Sequence, residues 1–317
     1  MERLFEPRRA LGRTGFIASQ LGIGDLADRA VPLEECVATA RRALDAGLNV
    51  IDTAPGYEDG YSEQIVGQAV REHGRRDRVF VIDKIDHKDD PVGPQVEKSL
   101  QTLGLDHTDA FVFHGVSDMD LWHRLVAPGG GFDQLAACVA KGQTRFRGIS
   151  SHHPDVVLAA IASGHCDILM FPIGAGVDER YITECLPRAK AAGVGTVCFK
   201  TFSAGKLVAE TSGYGAPLRP RPRGKFSSPT TSGGGGTALD TATRLPVERC
   251  VHYTLTHAPD VALLGMSFPD EQDAAFAAAQ CFTPMTEVEL ADTRAAAIEA
   301  MRGKGPNWWN PDPHQWT

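Results

Sequence analysis

Short apolar runs alternate along the chain with longer stretches whose apolar residues recur at helical spacing. The strand-like runs span residues 18–22, 49–52, 79–83, 110–113, 146–150, 167–171, 196–199 and 261–264. Most are apolar without strict alternation, the pattern of strands buried on both faces. Between them lie helical stretches with readable ends. Pro32, Leu33, Glu34 and Glu35 open one that stops at Gly47, and Ser62 and Glu63 open one that stops at Gly74. Others stop at Gly104, Gly142, Gly164 and Gly193, the usual punctuation of a helix C-terminus. Eight strand-then-helix units predict an α/β fold closed as a (β/α)₈ TIM barrel. An open doubly wound sheet is the alternative, but it carries GxGxxG after its first strand. Here Leu21, Gly22, Ile23, Gly24 and Asp25 lack the third glycine. Residues 3–17 read as a hairpin plugging the bottom of the barrel.

The rhythm breaks over residues 211–243, rich in Gly, Pro, Ser and Thr. Strand eight still follows, so this is a long loop after strand seven, a lid or flexible segment, rather than a domain boundary. The whole of 1–317 is expected to form a single barrel domain with a C-terminal tail, 303–317, that holds Trp308, Trp309 and Trp316. Those tryptophans cap a pocket, plug the core or meet another subunit, and Trp122 after strand four is a candidate to face the same pocket. A net charge of -8 argues against nucleic acid as a partner. No apolar run is long enough for a bilayer, and the first residues lack the apolar core of a signal peptide. The seven cysteines are scattered without a CxxC pair, as free thiols in a reducing compartment would be. A cytoplasmic location and no membrane association are the expectation.

In such a barrel the C-terminal ends of the strands build the active site. Asp52 closes strand two with Tyr57 five residues on, Lys84 closes strand three, and His114 closes strand four. Each alone is ordinary: a solvated loop residue, a structural ion pair, a satisfied core histidine, a surface aromatic like nearby Tyr61. Together they suit proton transfer to a carbonyl oxygen. A tyrosine has a reference pKa of about 10, and a neighbouring ammonium lowers it. Lys84 supplies that charge, Asp52 holds Lys84, and His114 orients the oxygen and donates a hydrogen bond to it. A different barrel chemistry, a metal-dependent isomerase or hydrolase using Asp52, Asp83, His87 and His114, stays open on these residues. The adjacent pair His152 and His153 points opposite ways on an extended segment and rarely holds one ion.

The segment from Asp52 to Glu63, with its Tyr57 and its Gly60-Tyr61-Ser62-Glu63 helix start, resembles the aldo-keto reductase signature. With Lys84 and His114 the catalytic tetrad of that family maps onto the chain, and the resemblance runs from about Leu11 to Met301. It implies an NAD(P)-dependent oxidoreductase without a metal, using NADP, or NAD, on a small-molecule carbonyl or alcohol. It implies that Gly24 and Asp25 lie near the cofactor, and that Ser150 and Ser151 hold the nicotinamide amide, with Ser151 in the place of an asparagine. Met170 ends strand six, where Ile173 stands in place of a stacking tyrosine. Lys200, Ser203, Ala204, Gly205 and Lys206 resemble the pyrophosphate loop. Gly265, Met266, Ser267, Glu271 and Gln272 resemble the last cofactor motif, without its usual basic residue near Ser267 or its asparagine near Ala275. Arg219, Arg221, Arg223 and Lys225 are candidates to fold over the phosphates from the long loop. A cofactor-binding regulatory subunit or redox sensor of the same fold, with little turnover, is the alternative.

Overall fold

The computed structural model describes residues 5–24, 29, 31–208, 244–266, 268–302, 307 and 309–311. Asp25, Ser267, the 211–243 stretch with its four cations, Trp308 and Trp316 lie outside the described residues.

Two short strands, β1 (Arg8–Ala10) and β2 (Ile17–Ser19), pair antiparallel as a hairpin. Eight parallel strands follow: β3 (Leu21–Ile23), β4 (Val50–Asp52), β5 (Phe80–Ile85), β6 (Thr108–Phe113), β7 (Thr144–Ser150), β8 (Ile168–Pro172), β9 (Gly195–Phe199) and β10 (Val261–Leu264). They neighbour one another in chain order, and β10 pairs with both β9 and β3, closing the barrel. The first barrel strand therefore starts at Leu21 and not, as its apolar run suggests, at Ala18. The switch falls at Gln20, whose N–H donates to Pro7 O at 2.7 Å on the hairpin side while its carbonyl accepts from Ala262 N at 2.7 Å on the barrel side.

The period of two along each strand divides the core. Val50, Phe80, Ile82, Ala110, Val112, Ile168, Met170, Val197, Val261 and Leu263 pack together inside the barrel. The alternate residues Ile51 and Val81, and Phe111, Phe113 and Leu169, pack outward beneath the helices. Both strand faces are thus apolar, which is why the runs show no alternation. The hairpin joins the inner layer through Leu11 and Ala18, both fully buried. Gly12, with φ +48, brings its N–H to Asp260 Oδ2 at 3.0 Å, and a Cβ there would collide with the backbone of Gly195. The hairpin so seals the end of the barrel at which the strands begin.

The described α-helices are α1 (Leu33–Asp45), α2 (Tyr61–His73), α3 (Val92–Leu103), α4 (Met119–Val126), α5 (Gly131–Ala140), α6 (Pro154–Ser163), α7 (Leu186–Ala191), α8 (Val247–Thr256), α9 (Pro269–Gln280) and α10 (Glu287–Met301). Gly74, Gly104 and Gly164 end α2, α3 and α6 in the left-handed conformation. The crossover from β6 to β7 holds two helices, α4 and α5. Trp122 on α4 is 3% exposed and packs on Phe132 of α5, with ring centroids 5.6 Å apart. It belongs to the core outside the barrel and not to a pocket at the strand ends, because helix periodicity aims it at α5.

Candidate active site

The inward positions of β4 and β5 end in polar residues. Asp52 follows Val50 by two residues, and Lys84 follows Phe80 and Ile82 at the same spacing, so each side chain enters the barrel above the apolar layer. Both are buried, 3% and 2% exposed. Lys84 Nζ donates to Asp52 Oδ1 at 2.6 Å and to Thr53 O at 2.6 Å. A charge removed from water to this degree persists only when paired and hydrogen-bonded.

Tyr57 reaches the same point from the loop after β4. Thr53 N donates to Ile82 O at 2.9 Å, and the Thr53 hydroxyl donates to Ser62 Oγ at 2.9 Å, tying the loop to β5 and to α2. Glu58, Asp59 and Gly60 are successively left-handed, with φ of 51°, 51° and 79°, which turns the chain straight into α2. The Arg29 guanidinium holds that turn by donating to Glu58 O and Asp59 O at 2.8 and 3.3 Å. The result sets the Tyr57 ring over the ammonium, with Lys84 Nζ 4.4 Å from the ring centroid. His114 follows β6 at the inward position after Ala110 and Val112, its N–H donating to Ile85 O at 3.0 Å. Its ring meets Tyr57 edge to face, centroids 5.4 Å apart and planes at 84°. The four residues singled out in sequence therefore converge.

A fifth residue joins them. Asp86, two residues beyond Lys84, accepts from His114 Nδ1 at 2.5 Å and, through its other oxygen, from Gly56 N at 2.6 Å. Burial works to raise its pKa, but the His114 contact, the Gly56 N–H and Lys84 outweigh it, and the carboxyl sits below its usual range. Burial also pushes the His114 pKa down; Asp86 opposes this and Lys84 adds to it, and the net direction favours the neutral ring. Sequence reasoning passed over Asp86, although the period of two that placed Lys84 also places Asp86 on the same side of the strand end.

The outward neighbour Asp83 is fully buried beneath α2, where Glu63, 3% exposed, meets it. Burial raises both carboxyl pKa values, and each carboxyl also faces the other. Asp83 accepts from Lys84 N at 2.7 Å. Among the described residues, the His, Cys, Asp and Glu side chains grouped closely enough to hold a metal are Glu248, His252 and Cys281 on α8 and after α9. Asp52, Asp83, His87 and His114 do not form such a group. His153 caps α6, its Nδ1 accepting from Asp155 N at 3.3 Å, while the His152 ring lies 5.0 Å from Phe199.

The residues expected around a cofactor divide into two sets. Gly24 follows β3 with its N–H on Leu264 O at 2.7 Å, close to Gly265, and Met266 is fully buried. Ser150 Oγ accepts from Gly115 N at 2.8 Å, and Ser151 Oγ accepts from His153 N at 3.1 Å. Ser151 N bonds Met170 O at 2.9 Å, so both serines and Met170 are engaged by their own strands and loops. Glu271 accepts from Phe268 N at 3.2 Å at the start of α9. Gln272, fully buried, binds Arg42 at 3.0 Å and Thr39 O at 2.8 Å, which gives it a packing role between α1 and α9. Lys206 is also fully buried and donates to Asn307 Oδ1 at 2.9 Å.

The loop after β9 differs. Lys200, Ser203, Ala204 and Gly205 all have positive φ, from 47° to 87°. Among the described residues, the buried hydroxyls of Thr201 and Ser203 have no hydrogen-bond partner. Buried donors left over in this way, in the same turn as Lys200, fit a polyanionic cofactor. Among the described residues no helix is long and apolar enough to cross a membrane.

Residues 18–279 match the family model described as the aldo/keto reductase family. The chain is 28% identical over 219 residues to L-galactose dehydrogenase of Arabidopsis thaliana, a match covering 63% of this chain and 66% of that protein. It is 25% identical over 224 residues to the NADH-specific methylglyoxal reductase of Escherichia coli, covering 62% and 68%. It is 35% identical over 125 residues to aldo-keto reductase YhdN of Bacillus subtilis, covering 33% and 37%. In three dimensions it resembles a Klebsiella pneumoniae aldo-keto reductase in complex with NADPH, with a TM-score of 0.64, 20% identity and coverage of 92% and 95%. The holo form of an aldo-keto reductase from Bacillus halodurans gives a TM-score of 0.64 at 23% identity, with the same coverage.

Proposed function

The chain belongs to the aldo/keto reductase family, and on that premise we propose that it is an NAD(P)-dependent oxidoreductase interconverting a small aldehyde or ketone with its alcohol. The observation that carries this reading is the convergence of Tyr57, Lys84 and Asp52 at the inward strand ends beside His114. When bound, the nicotinamide cofactor supplies or accepts the hydride; NADP is the first candidate and NAD the second. Thr201, Ser203 and Lys200 would hold its phosphates.

The chain's own residues handle the proton. Tyr57 has its ring over a buried ammonium, which places a positive charge beside the group that is to give up the proton. It gives its proton to the substrate oxygen as that oxygen gains charge, and takes one back in the reverse direction. Asp52 and Thr53 O fix the ammonium, so the positive charge is already aligned before substrate arrives. His114 offers a second polar contact to the same oxygen.

The test is turnover of a panel of aldehydes and ketones with NADPH and with NADH. Tyr57→Phe should lower kcat by about 10²–10⁴ while leaving NADPH binding near wild type. Full turnover in that variant would sink the assignment.

A further inference from the structure

The hydrogen-bond pattern around His114 narrows the reading above, on which this inference rests. Asp86 is a carboxylate with both oxygens committed: one to Gly56 N–H at 2.6 Å, the other to His114 Nδ1 at 2.5 Å. A carboxylate only accepts, so Nδ1 carries the proton. The one other polar atom of a neutral ring, Nε2, then has a lone pair and no hydrogen. A carbonyl oxygen needs donors from both of its partners. An alcohol or cyclic hemiacetal oxygen needs one donor and one acceptor. Tyr57 O–H with bare His114 Nε2 is a donor–acceptor pair.

We propose that Asp86 is a positioning residue that fixes His114 as a hydrogen-bond acceptor, matching the resting site to a hydroxyl-bearing substrate, an alcohol or cyclic hemiacetal. A carbonyl substrate is met by two donors only once His114 is doubly protonated. The charged groups acting on the ring are Asp86 and Lys84 from β5 and the segment after it and Lys88 from the same loop, and the Tyr57 ring meets it edge to face from the loop after β4. The His114 side chain is 26% exposed and Asp86 15%, so the pair borders open space and not the packed core.

At any fixed pH the equilibrium constant ties the two directions together, so a ratio of rates is no readout. The tautomer is. In Asp86→Asn the Gly56 N–H keeps the amide oxygen, which turns the amide NH₂ toward His114 Nδ1. Nδ1 must then accept, and the proton moves to Nε2. Long-range ¹H–¹⁵N NMR of the cofactor-free protein at pH 7.5, with the His114 signals assigned by their loss in His114→Phe, should show the Nδ1–H form in wild type. It should show the Nε2–H form in Asp86→Asn. Wild-type kcat/KM for reduction of 4-nitrobenzaldehyde should fall about tenfold per pH unit above the His114 pKa, and the Asp86→Asn profile should be flat over the same range.

An Nε2–H tautomer in wild type overturns the proposal. So does an Asp86→Asn protein that keeps both the wild-type tautomer and the wild-type profile. The broader reading fails separately: Tyr57→Phe would then turn over normally, or no carbonyl or alcohol would react, whatever the tautomer.

Discussion

At the scale of single residues, the site stands on one buried charge pair. Lys84 and Asp52 are nearly inaccessible to water and 2.6 Å apart, so each is tolerable only because of the other. Lys84→Met strands a carboxylate in the barrel and should cost about 3–5 kcal/mol of stability, read from denaturant midpoints. Adding Asp52→Asn removes the stranded charge and should restore most of that loss without restoring turnover. If the double variant regained activity, the ammonium would have no part in the chemistry. These residues were legible in sequence because a strand period of two and a polar residue after an apolar run leave few alternatives. Asp86 needed the further step of asking what faces His114 from the next strand. The partners of Gln272 and Lys206, Arg42 and Asn307, could not be read from sequence, since they come from remote segments.

At the scale of elements, β5 carries the proposed chemistry on its inner face and a buried acid pair on its outer one. Asp83 and Glu63, on α2, both have pKa values raised first of all by burial. The folded protein thus keeps a proton that the unfolded chain releases at about pH 4. Unfolded chains then bind fewer protons than folded ones above that pH, and stability falls as pH rises from there through the raised folded values. Asp83→Asn should flatten this slope: between pH 5 and 8 its Tm should change less than that of wild type. Identical slopes would mean that both carboxyls ionise freely. The eight-unit rhythm and most helix ends could be read from apolar runs and glycines. The junction at Gln20 could not, because antiparallel and parallel pairing draw on the same apolar residues. Gly12→Ala tests that hairpin, with its left-handed φ and close approach to Gly195. It should cost about 1–3 kcal/mol and leave kcat/KM within twofold, since it acts at the opposite end of the barrel from Tyr57.

At the scale of the molecule, Asn307 and Trp309 are tied to the loop that best fits a cofactor. Trp309 is fully buried, its indole N–H donating to Gly176 O at 3.3 Å and its carbonyl accepting from the Tyr181 hydroxyl at 3.1 Å. Asn310 bridges Asp178 N at 2.8 Å and Gly176 O at 3.3 Å, so Trp309 and Asn310 are both held by the segment after β8. From the other side, the ammonium groups of Lys200 and Lys206 each lie 5.1 Å from the Trp309 ring, and Lys206 bonds Asn307. One indole thus supports both lysines of the β9 loop through its π-face and links them to the segment after β8. Trp309→Ala should cost about 3–5 kcal/mol by opening a cavity. It should also weaken NADPH binding by about tenfold, equivalent to ~1.4 kcal/mol, because Lys200 then samples positions away from the phosphates. Trp309→Phe keeps a π-face and should recover most of the affinity but not the Gly176 hydrogen bond. Fluorescence titration with NADPH, at a temperature where all three proteins remain folded, separates the two effects. An unchanged Kd in Trp309→Ala would make the tail a stabilising plug with no bearing on the cofactor.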